Sequence, residues 1–341
     1  MAVAAAAVVG VAVVGVKLAR ERLSRRGDQP SRAYRLQRGE FVPDGLRRIA
    51  RGQIDGARDG LDGASKRKLG AAVQDARKRL KRLRTTLRLS RTALEGDTYR
   101  LESAAFRDAG RRLSSARDAE VLLETLDGLH ARFAGELSED ATAGLRAQLD
   151  EEHERALSSL RDDEDSLSAV LAELAEARLR TAGWEFEDDG FDALAPGLQR
   201  IYRRGRRRMR AAAAEPTTEN LHEWRKRVKD LWYAAQMLRP AGPKRMKKLA
   251  RRAHDLSDLL GDDHDLAILA KYAEAHPRLF ESDAGLRALR SLIDRRRRAL
   301  QKKAFRLGER LYEAPPKRFV RCVAKGWRKR AGKSLAPVAG D

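Results

Sequence analysis

Leu221-His222-Glu223-Trp224-Arg225-Lys226-Arg227-Val228-Lys229 restates, 148 positions on, the stretch Val73-Gln74-Asp75-Ala76-Arg77-Lys78-Arg79-Leu80-Lys81. The Arg-Lys-Arg core and the final Lys are identical, and apolar residues fall opposite apolar residues. A second pair follows at an offset of 147: Leu113 to Leu122, with Arg117-Asp118 and Val121-Leu122, against Leu260 to Leu269, with His264-Asp265 and Ile268-Leu269. The chain reads as a tandem duplication of one unit, each copy carrying a cationic stripe.

Both copies read as helical. From Phe41 onward Ala, Leu, Arg and Glu dominate, prolines sit at a few boundaries, and no alternating β-branched run appears. The expected fold is all-α: two pseudo-symmetric antiparallel helical bundles with long helices. Copy one spans about 40–182 and copy two about 190–312. Helices are expected from Pro43-Asp44 to about Leu61, from Ser65 to Arg91, after Gly96-Asp97 and from Asp118, with one long polar helix over Glu139 to Arg180. In copy two, Pro216-Thr217-Thr218 opens the basic helix, Pro240 and Pro243 bracket a turn, and Gly261 to Asp265 marks a further boundary. Residues 27–39 read as a linker and 313–341 as a basic tail.

The net charge of +22 points to a polyanionic partner: nucleic acid, anionic lipid or polyphosphate. The charge is also segregated, because Glu136 to Asp189 holds 17 acidic and 5 basic residues, a local net of −12. A lone cysteine, Cys322, excludes an internal disulfide framework, and no Cys/His spacing matches a zinc site. Residues 1–26 join an apolar Ala/Val/Gly run, Met1 to Val16, to a basic segment. The positive residues follow the apolar run, which is the wrong order for a secretory signal. A membrane anchor and a loose N-terminal helix both fit, and an inserted anchor would leave the body in the cytoplasm.

On a helical wheel Val73, Ala76, Leu80, Leu83 and Leu87 share one apolar arc, while Gln74, Arg77, Lys81, Arg84 and Arg88 form a separate stripe. In copy two Leu221, Trp224, Val228 and Leu231 take the core arc; His222, Arg225 and Lys229 take the stripe, with Lys226 and Tyr233 at its edge. Cations one helical turn apart can follow a chain of phosphates, and two stripes meeting across a pseudo-twofold axis would line one cleft. A merely solvated helix face is the alternative. Against it stand the repetition of the pattern and the scarcity of partners, since Asp75 is the only acidic residue between Val73 and Ala93.

These residues resemble the CHAD domains (conserved histidine α-helical domain) over about Glu40 to Tyr312, most specifically at Leu221 to Tyr233 together with Leu259-Leu260-Gly261-Asp262-Asp263-His264-Asp265. The resemblance implies two pseudo-symmetric bundles that bind inorganic polyphosphate through His, Arg and Lys. It carries over to His222, Arg225, Lys226 and Lys229, and to Arg77, Lys78, Lys81 and Arg84. Gln74 departs from it, standing where the family often has histidine, and stays in the expected contact set because its amide can still donate to a phosphate oxygen. The expected contact set adds Arg88, Tyr233 and His264, with Asp118 and Asp265 supporting as N-caps or as partners that hold Arg and Lys in place. A metal site from Asp262, Asp263, His264 and Asp265 is the weaker alternative, and no cofactor is expected.

Nucleic acid is the rival partner, but the chain is only 5% aromatic and the copy-one ladder has no ring on which a base could stack. Backbone contact with duplex DNA needs no stacking. Catalysis is not expected: no Walker-type loop is present, and Glu185-Phe186-Glu187 lacks the lysine of a tunnel-enzyme strand. An anionic membrane could meet Met1 to Val16 and the basic segment Lys317 to Lys333. The expectation is a non-catalytic binding or targeting protein of the cytoplasm, at polyphosphate granules or tethered to the inner face of the membrane.

Overall fold

The computed structural model describes residues 32–65, 68–113 and 118–331. The expected N-terminal helix, 1–26, lies outside the described residues. The described residues form eleven α-helices: α1 (Val42–Asp62), α2 (Leu69–Ser90), α3 (Thr98–Arg112), α4 (Asp118–Arg132), α5 (Ala143–Asp162), α6 (Glu164–Arg180), α7 (Ala195–Ala214), α8 (Thr218–Met237), α9 (Pro243–Ala275), α10 (Asp283–Leu311) and α11 (Pro316–Ala331). The described residues hold no strand, so the chain is all-α. No described helix is long and apolar enough to cross a membrane.

Apolar periodicity sets the faces. Val73, Ala76, Leu80, Leu83 and Leu87 all point inward from α2, packing against Ile54 of α1, Phe106 of α3 and Val170 and Leu174 of α6. Trp184 closes this bundle, and Leu94 and Phe186 form an antiparallel bridge in which Glu95 N donates to Glu185 O and Glu187 N to Ala93 O. A second core joins α7, α8 and α9 around Trp224, Leu231 and Leu256. It also takes in Leu46 and Ile49 of α1 and Leu89 of α2. A third core is built by α4 and α5 together with α9 and α10, through Leu126, Leu145, Leu269, Leu289 and Ile293. Two of the three cores therefore draw on both halves of the chain.

Four sequence expectations need correction. The polar helix over 139–180 is two helices: Asp163, inside the acidic run Asp162 to Asp165, accepts from Ser166 N through its side chain and starts α6, a role in which Asp competes with helix continuation. Gly261 to Asp265 is no boundary, because α9 runs through it without a break. The expected linker 27–39 includes Tyr34 and Leu36, both in the second core, and Leu36 N donates to Met237 O. The basic tail from 313 is largely helix α11, whose Phe319, Val320 and Val323 are buried; Phe319 stacks on Tyr202 at 4.2 Å and Trp327 packs on Phe191.

Phe319→Ala separates a docked helix from a loose tail. A buried aromatic cut back to alanine costs roughly 3 kcal/mol, read as a lower urea midpoint, whereas a change in a solvated tail would leave the midpoint where it is.

Candidate functional site

Two clusters of cations flank α8. The first forms where α2, α7 and α8 meet, around a carboxylate. Asp230, its side chain 9% exposed, accepts from Arg88 Nη1 at 2.9 Å through Oδ1 and from Arg227 Nη1 at 2.9 Å through Oδ2. Thr85 Oγ1 adds a contact to Oδ1 at 3.4 Å. Arg84 stands in the same field: burial, then repulsion from Arg88, holds its guanidinium below the ordinary value while Asp230 opposes the shift. Arg204 of α7 is lowered in the same way by burial and Arg227. Guanidinium stays charged in proteins, so one carboxylate faces four positive charges and leaves a strong local excess.

The second cluster runs along the seam between α8 and α9. Their antiparallel packing sets His222 beside His264 with ring centroids 4.1 Å apart, Arg225 across Gly261, and Trp232 stacked on His254 at 4.3 Å. The Nδ1 atoms of His222 and His264 and Arg225 Nε are buried without a hydrogen-bond partner. The accessible edge of each imidazole is therefore the one bearing Nε2. Asp263, 1% exposed, accepts from Arg297 Nε at 3.1 Å and from Gln301 Nε2 at 2.8 Å, and Arg297 also reaches Thr218 Oγ1 at 3.2 Å. This network ties α10 to the start of α8. Burial, then His264, Lys226 and Arg225, pushes His222 down to about 4; burial also lowers His264, with Asp265 opposing.

The predicted contact residues divide by location. Arg84, Arg88, His222, Arg225 and His264 fall in the two clusters. Arg77, Lys78, Lys81 and Lys229 are half-buried on their helices. Lys226 is exposed and ion-paired with Glu223, and Gln74 donates to Glu120 Oε2 of α4 at 3.3 Å. Tyr233 is a correction: it is 1% exposed, stacked on Trp232 and edge-on to Tyr34, because α8 turns its C-terminal half fully into the core. Neither Tyr233 nor Trp232 can meet a solvated polymer. Asp265 lies mid-helix and caps nothing; Asp118 is the first residue of α4, and its side chain lies outside the described residues. The alternative metal set is dispersed around α9, with Asp263 on Arg297, Asp262 near Arg296 and His264 on His222. Arg204, Arg227 and Asp230 escaped the wheel argument. Their signal was present as the run Arg203 to Arg208 and as the lone acid that follows Lys229.

The fold and the candidate site thus define an all-helical protein whose cations gather where α2, α7 and α8 meet and along the α8–α9 seam. The CHAD domain family profile matches residues 48–274 of the 341, and the chain belongs to that family. No curated protein matches the chain.

Two outcomes follow from the geometry. Asp230→Ala strips Arg88 and Arg227 of their shared carboxylate, in a field that also holds Arg84 and Arg204, and should lower the unfolding free energy by roughly 3 kcal/mol at low salt, with part recovered on adding sulfate; a change below about 1 kcal/mol would show that the arginines need no counter-charge. His222 titrates near 4 when folded and near its ordinary 6.5 when unfolded. The unfolded state therefore binds more protons in that window, so stability present above pH 6.5 is lost as pH falls toward 4. A His222→Gln variant should show a flatter fall in thermal midpoint over the same range.

Proposed function

We propose that this protein binds long inorganic polyphosphate, without catalysis, along the face formed by the arginine cluster at Asp230 and the α8–α9 seam. The observation that carries the reading is that Arg88 and Arg227, from the two halves of the chain, bond one carboxylate while Arg84 and Arg204 stand in the same field. Arginine offers planar, forked donors suited to phosphate oxygens. His222 and Asp230 are eight residues apart on α8, so the two clusters are separated by roughly 12 Å along the helix. A polymer can reach both at once, and a single orthophosphate cannot. Length preference then follows from linked contacts raising effective concentration.

A nucleic-acid partner is less well served. The copy-one helix α2 has no aromatic residue, and Trp224, Trp232 and Tyr233 of α8 are all in the core, which leaves no Phe, Tyr or Trp ring on either helix for base stacking. An anionic membrane would meet α11 through charge alone. Its apolar face is spent on the core while Lys317, Arg318, Arg321, Lys325 and Arg328 are exposed. We place the protein in the cytoplasm, where polyphosphate granules would supply the ligand.

The test is competition on immobilised long-chain polyphosphate with the full chain at about 150 mM salt. Long polyphosphate should outcompete DNA, RNA and short phosphates by tenfold or more at matched phosphate concentration, about 1.4 kcal/mol. Arg225→Ala with Lys229→Ala, or Arg88→Ala with Arg204→Ala, should remove that margin. Equal competition by nucleic acid would overturn the reading. Binding should also strengthen as pH falls from 7 to 5, because a bound anion lifts the His222 and His264 pKa values from their low resting positions and draws in protons. His222→Gln with His264→Gln should flatten that profile.

A further inference from the structure

Gly261 lies inside an unbroken α-helix, where glycine is a poor residue. Two buried helical glycines make room for the core, Gly308 for Trp224 and Gly205 for the Tyr312 ring, and Gly56 of α1 lies against the Arg79 guanidinium. Gly261 makes room for a cation. A Cβ at this position would stand 3.1 Å from both Nε and Nη2 of Arg225 and 3.5 Å from its Cζ, so the guanidinium lies across the bare backbone of α9. One turn along the same seam are His222 and His264, with buried Nδ1 atoms and their Nε2 edges outward.

We infer that Gly261 is a positioning residue: by leaving α9 bare it seats Arg225 beside the His222–His264 pair, so that three side chains present one socket for a single phosphoryl group of the bound polymer. The inference rests on the polyanion reading above and assigns it a defined contact point. Arg225 Nε is buried against the helix and Nη2 lies as close to Gly261, which leaves Nη1 to donate outward. The two Nε2 edges then stand beside it, and a tetrahedral oxyanion accepts from several donors at once. The surroundings of the socket are mixed in charge: Lys226 and Glu223 on α8, Asp263 and Asp265 on α9, and Arg297 on α10. Asp263 is held by Arg297 and Gln301, so its carboxylate is neutralised before a ligand arrives.

The test changes no charge. Gly261→Ala forces the guanidinium to give by a few tenths of an ångström, and Gly261→Leu pushes it further. Affinity for long polyphosphate should fall about threefold and about tenfold respectively, since small displacements of a contact group carry large costs. In an Arg225→Ala background neither glycine substitution should matter, which is the coupling expected of a residue that acts through another. With no ligand present, ring titrations of His222 and His264 followed by NMR should move upward in both glycine variants, because a displaced Arg225 suppresses protonation less. The thermal midpoint of Gly261→Ala should match or exceed that of the natural protein, alanine being the better helix former.

Unchanged affinity with unshifted rings in Gly261→Ala would overturn the inference. So would a loss that persists without Arg225, or one that tracks a falling midpoint. If the natural protein prefers nucleic acid, the polyphosphate reading fails on its own. Ring titration and coupling to Arg225, measured then with duplex DNA as the probe, still decide the role of Gly261.

Discussion

The bidentate use of Asp230 is the interaction on which the proposed binding face depends. Like charges at the junction of α2, α7 and α8 would drive the helices apart, and the carboxylate that Arg88 and Arg227 share removes part of that repulsion. Its low exposure makes the attraction strong, and an isolated carboxylate there would be costly, so the carboxylate and the arginines require one another. One acid cannot neutralise four guanidiniums. The junction therefore keeps a net positive charge. A site of this kind is organised before its ligand arrives, which limits the ordering cost of binding.

The fold was largely legible because it follows from periodicity. The arc Val73, Ala76, Leu80, Leu83, Leu87 named the buried face of α2 correctly, and the cap at Thr217, whose side chain accepts from Asn220 N, was readable as a helix start. Breaks and continuations were less legible. Gly261 read as a stop because glycine often ends helices, but it keeps right-handed helical geometry here and its reason lies in a side chain from α8. The docking of Tyr34, Leu36 and Phe319 was hidden in short apolar interruptions of basic segments, where sparse hydrophobic residues give little periodic signal.

The site was half legible. A wheel orders the residues of one helix and says nothing about which neighbour each face meets. Tyr233 lies on the same angular stripe as His222, and depth along α8 alone separates them: its C-terminal half is enclosed by α9, the N-terminal segment and α2. Asp230 drew no reading from the sequence, because its partners Arg88 of α2 and, in the same field, Arg204 of α7 are remote from it along the chain.

The third core has a consequence for synthesis. Leu126 and Leu145 emerge with α4 and α5, and their covering partners, Leu269, Leu289 and Ile293, are more than a hundred residues further along the chain. At 5–20 residues per second the ribosome needs roughly 10–30 s to deliver the rest of α9 and α10. During that interval the first half holds an apolar surface that only its own late-made half can cover. Until then the nascent chain exposes the kind of apolar surface that makes folding intermediates prone to aggregate.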